Sequence, residues 1–314
     1  MTTVFTDLGG TLLDYNTYSW EAARPALEQL RCRGIPCVLV TSKTRAEVEY
    51  WRNLMENSDP VIVENGAAVF IPKGYFPFAV PAAIGRGNFE VLEWGKPYGV
   101  LIAALEETSR SARCRVLGFH QMTAQAVSIA CSMPLDQNVL AMQREYDEPF
   151  LIVEPARTNA LLSELEARGQ HWTEGGRFHH VCGPHDKALA AKTVKHWFDQ
   201  LHEHVTTIGF GDTLNEAALL EAIDVPIVFA PGSVRPRGPH TACPIDRTSG
   251  AARLERNDAA FDPEPVIAGH RQPILRLKDG STEIALPTGP RPLPSCRNSV
   301  AIRFGAPRQP PCSQ

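Results

Sequence analysis

The sequence predicts an α/β protein in which a doubly wound parallel sheet is interrupted by a smaller inserted α/β domain. Three observations support this prediction. Short apolar runs alternate with amphipathic helical patterns over the first 70 residues, a less regular α/β pattern follows up to residue 182, and the first pattern then resumes up to residue 230. Strands joined through helices form right-handed parallel crossovers, which cover both faces of the sheet.

The core elements follow from the spacing of apolar residues. Helices are expected where apolar residues recur every three or four positions, and strands where a short apolar run is bounded by turn residues. The strands are expected at residues 4–7, 35–40, 61–63, 206–210 and 226–230, and the helices at residues 20–33, 44–54, 186–200 and 216–222.

Residues 76–184 are predicted to form the inserted domain, which divides the core into residues 1–75 and 185–230. A segment at 74–88 is rich in glycine, proline and aromatic residues and is expected to be the linker into this domain. Short strands are then expected at residues 91–92, 150–153 and 178–182, and helices at residues 100–108, 123–131 and 159–168.

The composition changes after residue 231. More than half of the 26 prolines lie beyond Val225, arginine is frequent and lysine is almost absent. Residues 266–277 and 299–304 show some apolar alternation, but no element is convincing, so the segment 231–314 is predicted to be a Pro/Arg-rich irregular or disordered tail. Out-of-frame translation of a GC-rich gene beyond codon 231 would produce the same composition, and the nucleotide sequence distinguishes the two explanations.

The bulk composition is that of a globular protein and favours neither a nucleic-acid nor a membrane partner. Hydrophobic residues make up 43% of the 314 residues, and the net charge of -4 disfavours a nucleic-acid-binding surface. No apolar run is long enough to span a membrane, and no signal-peptide pattern is visible. The 8 cysteines show neither Cys-x-x-Cys nor zinc-ligand spacing, so we expect structural thiols in a cytoplasmic protein. The oligomeric state is left open.

Four short motifs follow the predicted strands in chain order. In an open α/β sheet the carboxyl ends of parallel strands meet at one edge, so residues at these ends are expected to converge. The motifs are Asp7-Leu8-Gly9-Gly10-Thr11, Thr41, Lys187 and Gly211-Asp212-Thr213-Leu214-Asn215-Glu216.

The residue types in these motifs suit chemistry on a phosphate group. A carboxylate at a strand end, such as Asp7, can attack phosphorus, and glycines beside it allow the backbone to approach a phosphate closely. A hydroxyl at Thr41 can bind the phosphoryl group, and Lys187 can neutralise its charge. Taken singly, each motif also fits a plain structural role, as a turn, a helix N-cap, a solvated lysine or the start of a helix. Their order along the chain therefore carries the prediction.

The four motifs resemble those of haloacid-dehalogenase-type (HAD) phosphatases. Four further strings are similar to the mannosyl-3-phosphoglycerate phosphatase family, a Cof-type branch with a C2 cap. These strings are residues 41–47, 64–72, 144–148 and 175–179, and the resemblance covers roughly residues 1–230. It implies a HAD-like core in two parts around a C2 cap. It also implies Mg²⁺-dependent hydrolysis of 2-O-mannosyl-3-phosphoglycerate, through an aspartyl-phosphate, to phosphate and mannosylglycerate, a compatible solute.

The same resemblance implies roles for individual residues. The catalytic residues would be Asp7 as the nucleophile and Thr41 and Lys187 as ligands of the phosphate. Mg²⁺ would be bound by Asp7, the main-chain carbonyl of Gly9 and Asp212, with Asn215 and Glu216 in support. The anionic groups of the substrate would be bound by Ser42, Lys43, Arg45, Arg144 and Arg177. The carboxylates of Glu145, Asp147 and Glu148 can accept hydrogen bonds from sugar hydroxyls, and a plain salt bridge between Arg144 and Asp147 within the cap is the alternative.

Gly9 departs from the family pattern, which has a second aspartate at this position. Its main-chain carbonyl can still bind Mg²⁺, but glycine has no side chain to protonate the leaving alkoxide or to activate the hydrolytic water. General acid–base catalysis contributes roughly 10²–10⁴-fold, or about 3–5 kcal/mol of barrier. We therefore expect binding to survive and turnover to be impaired. Two alternatives stay open: a phosphatase for another sugar phosphate, such as glucosyl-3-phosphoglycerate, and a catalytically silent phospho-sugar-binding protein.

Overall fold

The computed structural model describes residues 1–14, 17–131, 135–175, 178–212 and 214–229, together with three short strands near the C-terminus. In chain order the elements are β1 (Thr2–Thr6), α1 (Arg24–Cys32), β2 (Cys37–Val40), α2 (Arg45–Leu54), β3 (Val61–Val63), β4 (Ala68–Pro72), β5 (Ile84–Arg86), β6 (Phe89–Glu93), α3 (Tyr98–Ala112), β7 (Val116–Gly118), α4 (Ala124–Cys131), α5 (Leu135–Ala141), β8 (Asp147–Ile152), α6 (Thr158–Ala167), β9 (His171–Gly175), β10 (Phe178–Cys182), α7 (Lys187–Leu201), β11 (Thr206–Gly211), α8 (Ala217–Glu221), β12 (Val225–Phe229), β13 (Leu275–Leu277), β14 (Glu283–Ala285) and β15 (Ala301–Arg303).

A nine-stranded sheet forms the core in the order β13-β12-β11-β1-β2-β3-β4-β6-β5. The strands from β13 to β3 pair in parallel, whereas β4, β6 and β5 pair antiparallel to their neighbours. Because β1 lies within the parallel part, the residues that follow it lie beside the ends of β2 and β11. The prediction of an α/β fold with a mostly parallel, doubly wound sheet is confirmed.

Alternate residues of the strands form two hydrophobic cores, one on each face of the sheet. Val4 packs in the core that contains Leu27 of α1 and Trp51 of α2. Phe5, its neighbour in β1, packs in the core that contains Trp197 of α7. This arrangement follows from the two-residue repeat of a strand, and it buries both faces of the parallel sheet under helices.

The strands β5 and β6 lie within the bounds predicted for the linker and the inserted domain, yet they belong to the core sheet. They form a hairpin around Gly87, whose φ is 57°, and β6 pairs with β4. Val91 of β6 is fully buried, and Phe89 packs edge-on against Phe70 of β4. The strand predicted at residues 91–92 is therefore part of β6 but lies in the core sheet, whereas the three-residue β5 is too short for a clear apolar alternation.

A second sheet, of four antiparallel strands, lies in the chain between β6 and α7 and has the order β7-β8-β10-β9. Helices α3 and α6 pack on it, with Leu101, Leu105 and Leu161 in one core with Phe150 and Val181. The elements β7, α5 and β9 are absent from the sequence-based prediction. β7 has three residues, and β9 reads His-Trp-Thr-Glu-Gly, so neither strand shows the apolar alternation that identifies one.

Most of the segment 231–314 lies outside the described residues, so its predicted irregularity stays a prediction. Three strands are described within it: β13 pairs in parallel with β12, and β14 pairs antiparallel with β15. No regular element was expected here, because three-residue strands are too short to show a periodic pattern. In the part of the chain that the structure describes, no helix combines the length and the apolar character needed to cross a membrane.

The turn after β3 brings the start of α7 against the sheet. Glu64, Asn65 and Gly66 have successive positive φ values of 44°, 61° and 93°. A Cβ atom on Gly66 would lie 2.8 Å from the backbone N of Lys187 and still closer to the carbonyl O of Asp186. Glycine at this position therefore lets the N-terminus of α7 approach the ends of the central strands.

We expect Gly66→Ala to lower the free energy of unfolding more than Gly74→Ala. Both glycines have positive φ, so both substitutions introduce left-handed strain of about 1–2 kcal/mol. At Gly66 the added Cβ also overlaps the backbone, which costs about 1–3 kcal/mol more, whereas at Gly74 it meets nothing within 4 Å. Urea unfolding of the two variants measures this difference, and equal losses would contradict the close approach of α7.

Candidate active site

The ends of β1 and β11 bring Asp7 and Asp212 to the same edge of the sheet. The two strands are parallel neighbours in which Thr6 pairs with Phe210, and the backbone N–H of Asp7 donates to the carbonyl O of Phe210 at 3.1 Å. Gly10 lies against the second carboxylate, since a Cβ atom on it would be 2.9 Å from Cγ of Asp212. The loop after β1 therefore packs on Asp212, and the first and fourth motifs lie together.

Lys187 joins Asp7 to Glu216 in a buried cluster of three charges. Its Nζ lies 3.2 Å from Oδ1 of Asp7 and 2.7 Å from Oε1 of Glu216. The side chains of Asp7, Lys187 and Glu216 are only 7%, 3% and 3% exposed. Lys187 is the first residue of α7, whose N-cap Asp186 accepts a hydrogen bond from the backbone N–H of Leu189. The capped start of the helix thus fixes the position of the ammonium group.

Burial and charge set the protonation of this three-charge cluster. Burial raises the pKa of Asp7 from 3.8 to about 6; Lys187 opposes this rise and Glu216 adds to it. Burial acts to lower the pKa of Lys187, but the carboxylates of Asp7 and Glu216 outweigh it and hold that pKa above its usual value. Lys187 therefore carries a positive charge at neutral pH and can stabilise negative charge on a group bound to Asp7.

Thr41 lies at the end of β2 and does not cap the following helix. It is 1% exposed, its Oγ1 accepts a hydrogen bond from the N–H of Lys43 at 3.2 Å, and its carbonyl O accepts one from the N–H of Asn65 at 3.0 Å. The N-cap of α2 is Thr44, which forms a capping box with Glu47. Thr41 remains a candidate ligand for a phosphate group.

Lys43 lies in the loop after β2, where an ion pair holds it. Its Nζ is 2.9 Å from Oε1 of Glu47, and it faces the ring of Tyr18 at 5.2 Å. Burial acts to lower the pKa of Lys43, but Glu47, Tyr18 and Asp7 outweigh it and hold that pKa above its usual value. This permanent charge suits the anion-binding role predicted for Lys43, which stays a prediction.

The other residues predicted to bind the substrate are paired with groups of this chain. Arg144 is buried and donates to the carbonyl O of Ser42 at 2.8 Å. Arg45 donates to Oε1 of Glu145 at 2.8 Å. Arg177 lies outside the described residues. The described pairs join the loop after β2 to the segment before β8, and the substrate-binding roles stay predictions.

Two of the carboxylates expected to bind sugar hydroxyls are instead fully buried and bonded within the protein. Asp147 accepts a hydrogen bond from Nδ2 of Asn65 at 2.9 Å and pairs with Nδ1 of His180 at 2.8 Å. Glu148 accepts one from the hydroxyl of Tyr98 at 2.6 Å. Both carboxylates are 0% exposed. The alternative of a salt bridge between Arg144 and Asp147 agrees with their separation of 3.5 Å. The other three partners could not be foreseen, because they are distant in the chain.

Glu64 and Asn65 connect the two domains, and neither was predicted as a site residue. The carboxylate of Glu64 accepts hydrogen bonds from the N–H of Glu145 at 3.0 Å and of Tyr146 at 2.8 Å. Burial raises the pKa of Glu64 to about 8, against the effect of these donors. Asn65 accepts a hydrogen bond from Asn215 at 3.1 Å. The Glu-Asn-Gly string was a usable signal, because asparagine and glycine favour the left-handed backbone of such a turn.

The oxygen donors at the end of β1 are suited to Mg²⁺. The carboxylates of Asp7 and Asp212 and the main-chain carbonyl of Gly9 are the ligand type that Mg²⁺ prefers. Gly10 leaves space beside Asp212 that a side chain would fill, so the residues present fit this ion. Within the described ranges, no group of three or more histidine, cysteine, aspartate or glutamate side chains is placed to hold a metal. Main-chain oxygens, substrate oxygens and water would therefore complete the coordination.

Position 9 has room for a side chain. Within 4 Å, a Cβ atom on Gly9 would meet Oδ2 of Asp7 alone, at 3.9 Å, which is an ordinary contact. The backbone at Gly9 does not have a positive φ. The conformation of the loop therefore does not require glycine here, and a longer side chain would lie beside the nucleophile.

We expect Lys187→Met to lower the free energy of unfolding by about 3–5 kcal/mol, because it leaves two buried carboxylates without their cation. Lys192→Met is a matched control on the exposed side of the same helix, and it should change stability by no more than about 0.5 kcal/mol. Urea unfolding at neutral pH compares the two variants. Similar losses in the free energy of unfolding for the two variants would show that charge pairing does not stabilise the cluster of Asp7, Lys187 and Glu216.

The raised pKa of Asp7 predicts a pH-dependent cost to stability. Folded protein binds this proton more tightly than unfolded chain does, so the contribution of Asp7 to stability falls as the pH rises from about 4 to about 6. Asp7→Asn removes that titration. With EDTA present, the variant should gain about 3 kcal/mol relative to the natural chain over this window, at about 1.4 kcal/mol per pKa unit. Unfolding curves from pH 4 to 7 test this prediction. A difference in the free energy of unfolding between Asp7→Asn and the natural chain that stays constant over this range would refute it.

Several known proteins are similar to this chain in sequence. The family model for haloacid dehalogenase-like hydrolases matches residues 4–77. A glucosyl-3-phosphoglycerate/mannosyl-3-phosphoglycerate phosphatase of Methanococcoides burtonii is 39% identical over 226 residues, which are 72% of this chain and 83% of that protein. A mannosyl-3-phosphoglycerate phosphatase of Pyrococcus furiosus is 34% identical over 232 residues, which are 74% of this chain and 91% of that protein.

Solved structures show the same fold at lower sequence identity. A protein of Thermoplasma acidophilum has a TM-score of 0.52 at 18% identity, covering 73% of this chain and 84% of its own. A haloacid dehalogenase-like hydrolase from B. subtilis has a TM-score of 0.52 at 16% identity, covering 73% of this chain and 89% of its own. The chain therefore belongs to the haloacid dehalogenase-like hydrolases, and within them to the family of the mannosyl-3-phosphoglycerate phosphatases.

Proposed function

We propose that the protein is a Mg²⁺-dependent phosphatase that converts 2-O-mannosyl-3-phosphoglycerate to mannosylglycerate and phosphate. The observation that carries this proposal is the buried contact between Asp7 and Lys187, 3.2 Å long, at the sheet edge where Asp212 also lies. The names of the relatives in Methanococcoides burtonii and Pyrococcus furiosus suggest the substrate. Because the first relative is named for two sugars, glucosyl-3-phosphoglycerate is the second substrate to test.

In the first proposed step, a carboxylate oxygen of Asp7 bonds to phosphorus as the bond from phosphorus to the glycerate oxygen breaks. Lys187 stabilises negative charge on the carboxylate and on the phosphoryl group, and the hydroxyl of Thr41 donates to a phosphoryl oxygen. The departing alkoxide takes the electron pair of the broken bond and needs a proton. Gly9 offers none, so the proton has to come from water and this step is slow.

In the second proposed step, a water oxygen bonds to phosphorus and the bond between phosphorus and Asp7 breaks. Inorganic phosphate leaves, and the carboxylate of Asp7 is restored. The attacking water has to lose a proton, which a carboxylate at position 9 would accept. Because Gly9 lacks a side chain, the hydrolysis of the aspartyl-phosphate is slowed as well.

The residues that would hold Mg²⁺ are Asp7, the carbonyl of Gly9 and Asp212. The bound ion would neutralise charge on the phosphoryl oxygens. Glu216 would support the site through Lys187, to which it is bonded at 2.7 Å. In this division of roles, the carboxylates of Asp7 and Asp212 would bind Mg²⁺, and the carboxylate of Glu216 would position the ammonium group of Lys187.

The carboxylate of the substrate is proposed to bind Lys43. The pKa of Lys43, which Glu47, Tyr18 and Asp7 together hold above its usual value, supports its positive charge at neutral pH. The other candidates from the sequence are Ser42, Arg45, Arg144 and Arg177. A cytoplasmic location, and a function without a nucleic-acid or membrane partner, stay predictions of the sequence.

We expect Gly9→Asp to raise the rate of phosphate release from 2-O-mannosyl-3-phosphoglycerate by roughly 10²–10⁴-fold, because it supplies a carboxylate for both proton transfers. Gly9→Ala adds a Cβ atom in the same open space without a proton donor, so it should give no such increase. The assay measures phosphate release with Mg²⁺ present, on the mannosyl and the glucosyl substrate in parallel.

Each possible outcome of this assay has a distinct meaning. Equal rates for the natural chain and Gly9→Asp would show that the acid–base argument is wrong. Activity of Gly9→Asp on the glucosyl compound alone would overturn the choice of sugar. Activity of neither protein on either compound would overturn the proposed phosphatase.

A further inference from the structure

A chain of buried and partly buried polar contacts runs from the start of β8, in the inserted domain, to the loop that carries Asp212. We propose that Asp147, acting through Asn65 and Asn215, is a positioning residue that holds this loop in the geometry needed for Mg²⁺. The proposal rests on the proposed function, because it concerns the Mg²⁺ site of that reaction. It assigns a role in the site to a residue of the inserted domain that does not itself bind the ion.

The first link connects Asn215 to Asn65. Nδ2 of Asn215 donates to Oδ1 of Asn65 at 3.1 Å. Asn215 belongs to the same short loop as Asp212, and its neighbour Glu216 holds Lys187 at 2.7 Å. Fixing the side chain of Asn215 therefore restricts the loop between Asp212 and the three-charge cluster.

Asn65 is a rigid support for this link. Its backbone is in the left-handed region, with φ at 61°, and its N–H donates to the carbonyl O of Thr41 at 3.0 Å. The next residue, Gly66, packs against the first turn of α7. Asn65 is 3% exposed. The backbone of Asn65 is thus fixed by Thr41 and by the start of α7. The rotation of its side-chain amide is determined by the two hydrogen bonds of that amide.

Asp147 decides which way that amide group points. Nδ2 of Asn65 donates to Oδ2 of Asp147 at 2.9 Å. An ionised carboxylate only accepts hydrogen bonds, so it attracts the NH₂ end of the amide and leaves the oxygen end facing Asn215. Asp147 is 0% exposed and is itself held by His180 at 2.8 Å and by Arg144 at 3.5 Å. Without the carboxylate, the amide could turn and present a donor to the NH₂ group of Asn215.

A purely structural role, in which Asp147 only joins the two domains, predicts a different experimental result. Other contacts across the same junction include the pair of Glu145 with Arg45 at 2.8 Å. Loss of a joining contact lowers stability in the presence and absence of the ion alike. Loss of a positioning contact lowers the affinity for Mg²⁺ as well. Mutation of a residue that orients a metal ligand without binding the metal typically lowers metal affinity by about 10–100-fold.

The test measures thermal unfolding of the full chain as a function of Mg²⁺ concentration, without substrate. Asp147→Asn should raise the Mg²⁺ concentration for half-maximal stabilisation by about 10-fold or more. Asn65→Gly, in which glycine tolerates the positive φ, should raise this Mg²⁺ concentration in the same way. It replaces Asp147→Asn in the test if that variant does not fold. Glu145→Gln is the matched control, because it removes an adjacent junction contact that does not touch Asn65, and it should leave that concentration unchanged.

An exchange of the two side chains gives a stricter test. In Asn65→Asp combined with Asp147→Asn, the new amide can donate to the new carboxylate, which also accepts from Asn215. The exchanged protein should recover most of the Mg²⁺ affinity that Asp147→Asn loses.

The outcomes separate this inference from the proposed function. If Mg²⁺ stabilises the natural chain but Asp147→Asn and Asn65→Gly need no more of it, Asp147 only joins the domains and the inference is wrong. Failure of the exchange to restore affinity also refutes it. If Mg²⁺ does not stabilise the natural chain and Gly9→Asp releases no phosphate, the proposed function fails and the inference fails with it.

Discussion

The buried ion pairs of Lys187 with Asp7 and Glu216 are the interaction on which the rest of the site depends. Without the ammonium group, two carboxylates would share a volume that is nearly closed to water, and one of them would have to bind a proton. The fold fixes the position of the ammonium through Gly66, which admits the start of α7, and through the parallel register of β1 and β11. The nucleophile is therefore held in place at a cost to stability, as is common at functional sites.

The junction between the core and the inserted domain depends on charged groups and backbone donors. The segment before β8 is bonded to Glu64, Arg45 and the carbonyl of Ser42. A substrate anion at Arg45 or Arg144 would therefore have to compete with an existing partner. The same holds for Lys43, whose Nζ lies 2.9 Å from Oε1 of Glu47.

The parts of the fold that could be predicted are those with local signals. Apolar periodicity located the helices and strands of the parallel core, and the glycines beside Asp7 and Asp212 indicated two strand ends that lie together at one edge of the sheet. A strand was predicted at residues 91–92 of β6, but neither β5 nor the pairing of β6 with β4 could be predicted, because Val91 is identified as a core residue only by its distant neighbours. The same holds for Asn65 and Asp147, which are 82 positions apart in the chain and become partners only in the folded protein.

In the proposed reaction, Gly9 affects only the two proton transfers and leaves in place the groups proposed to bind and attack the phosphate. A burst experiment with 4-nitrophenyl phosphate tests this most directly, because its leaving group needs no proton. With Mg²⁺ present, we predict that the natural chain releases about one nitrophenolate per active site rapidly and then turns over slowly, while phosphorylated Asp7 accumulates. No burst, or rapid steady release without a phosphorylated intermediate, would contradict this assignment of Gly9.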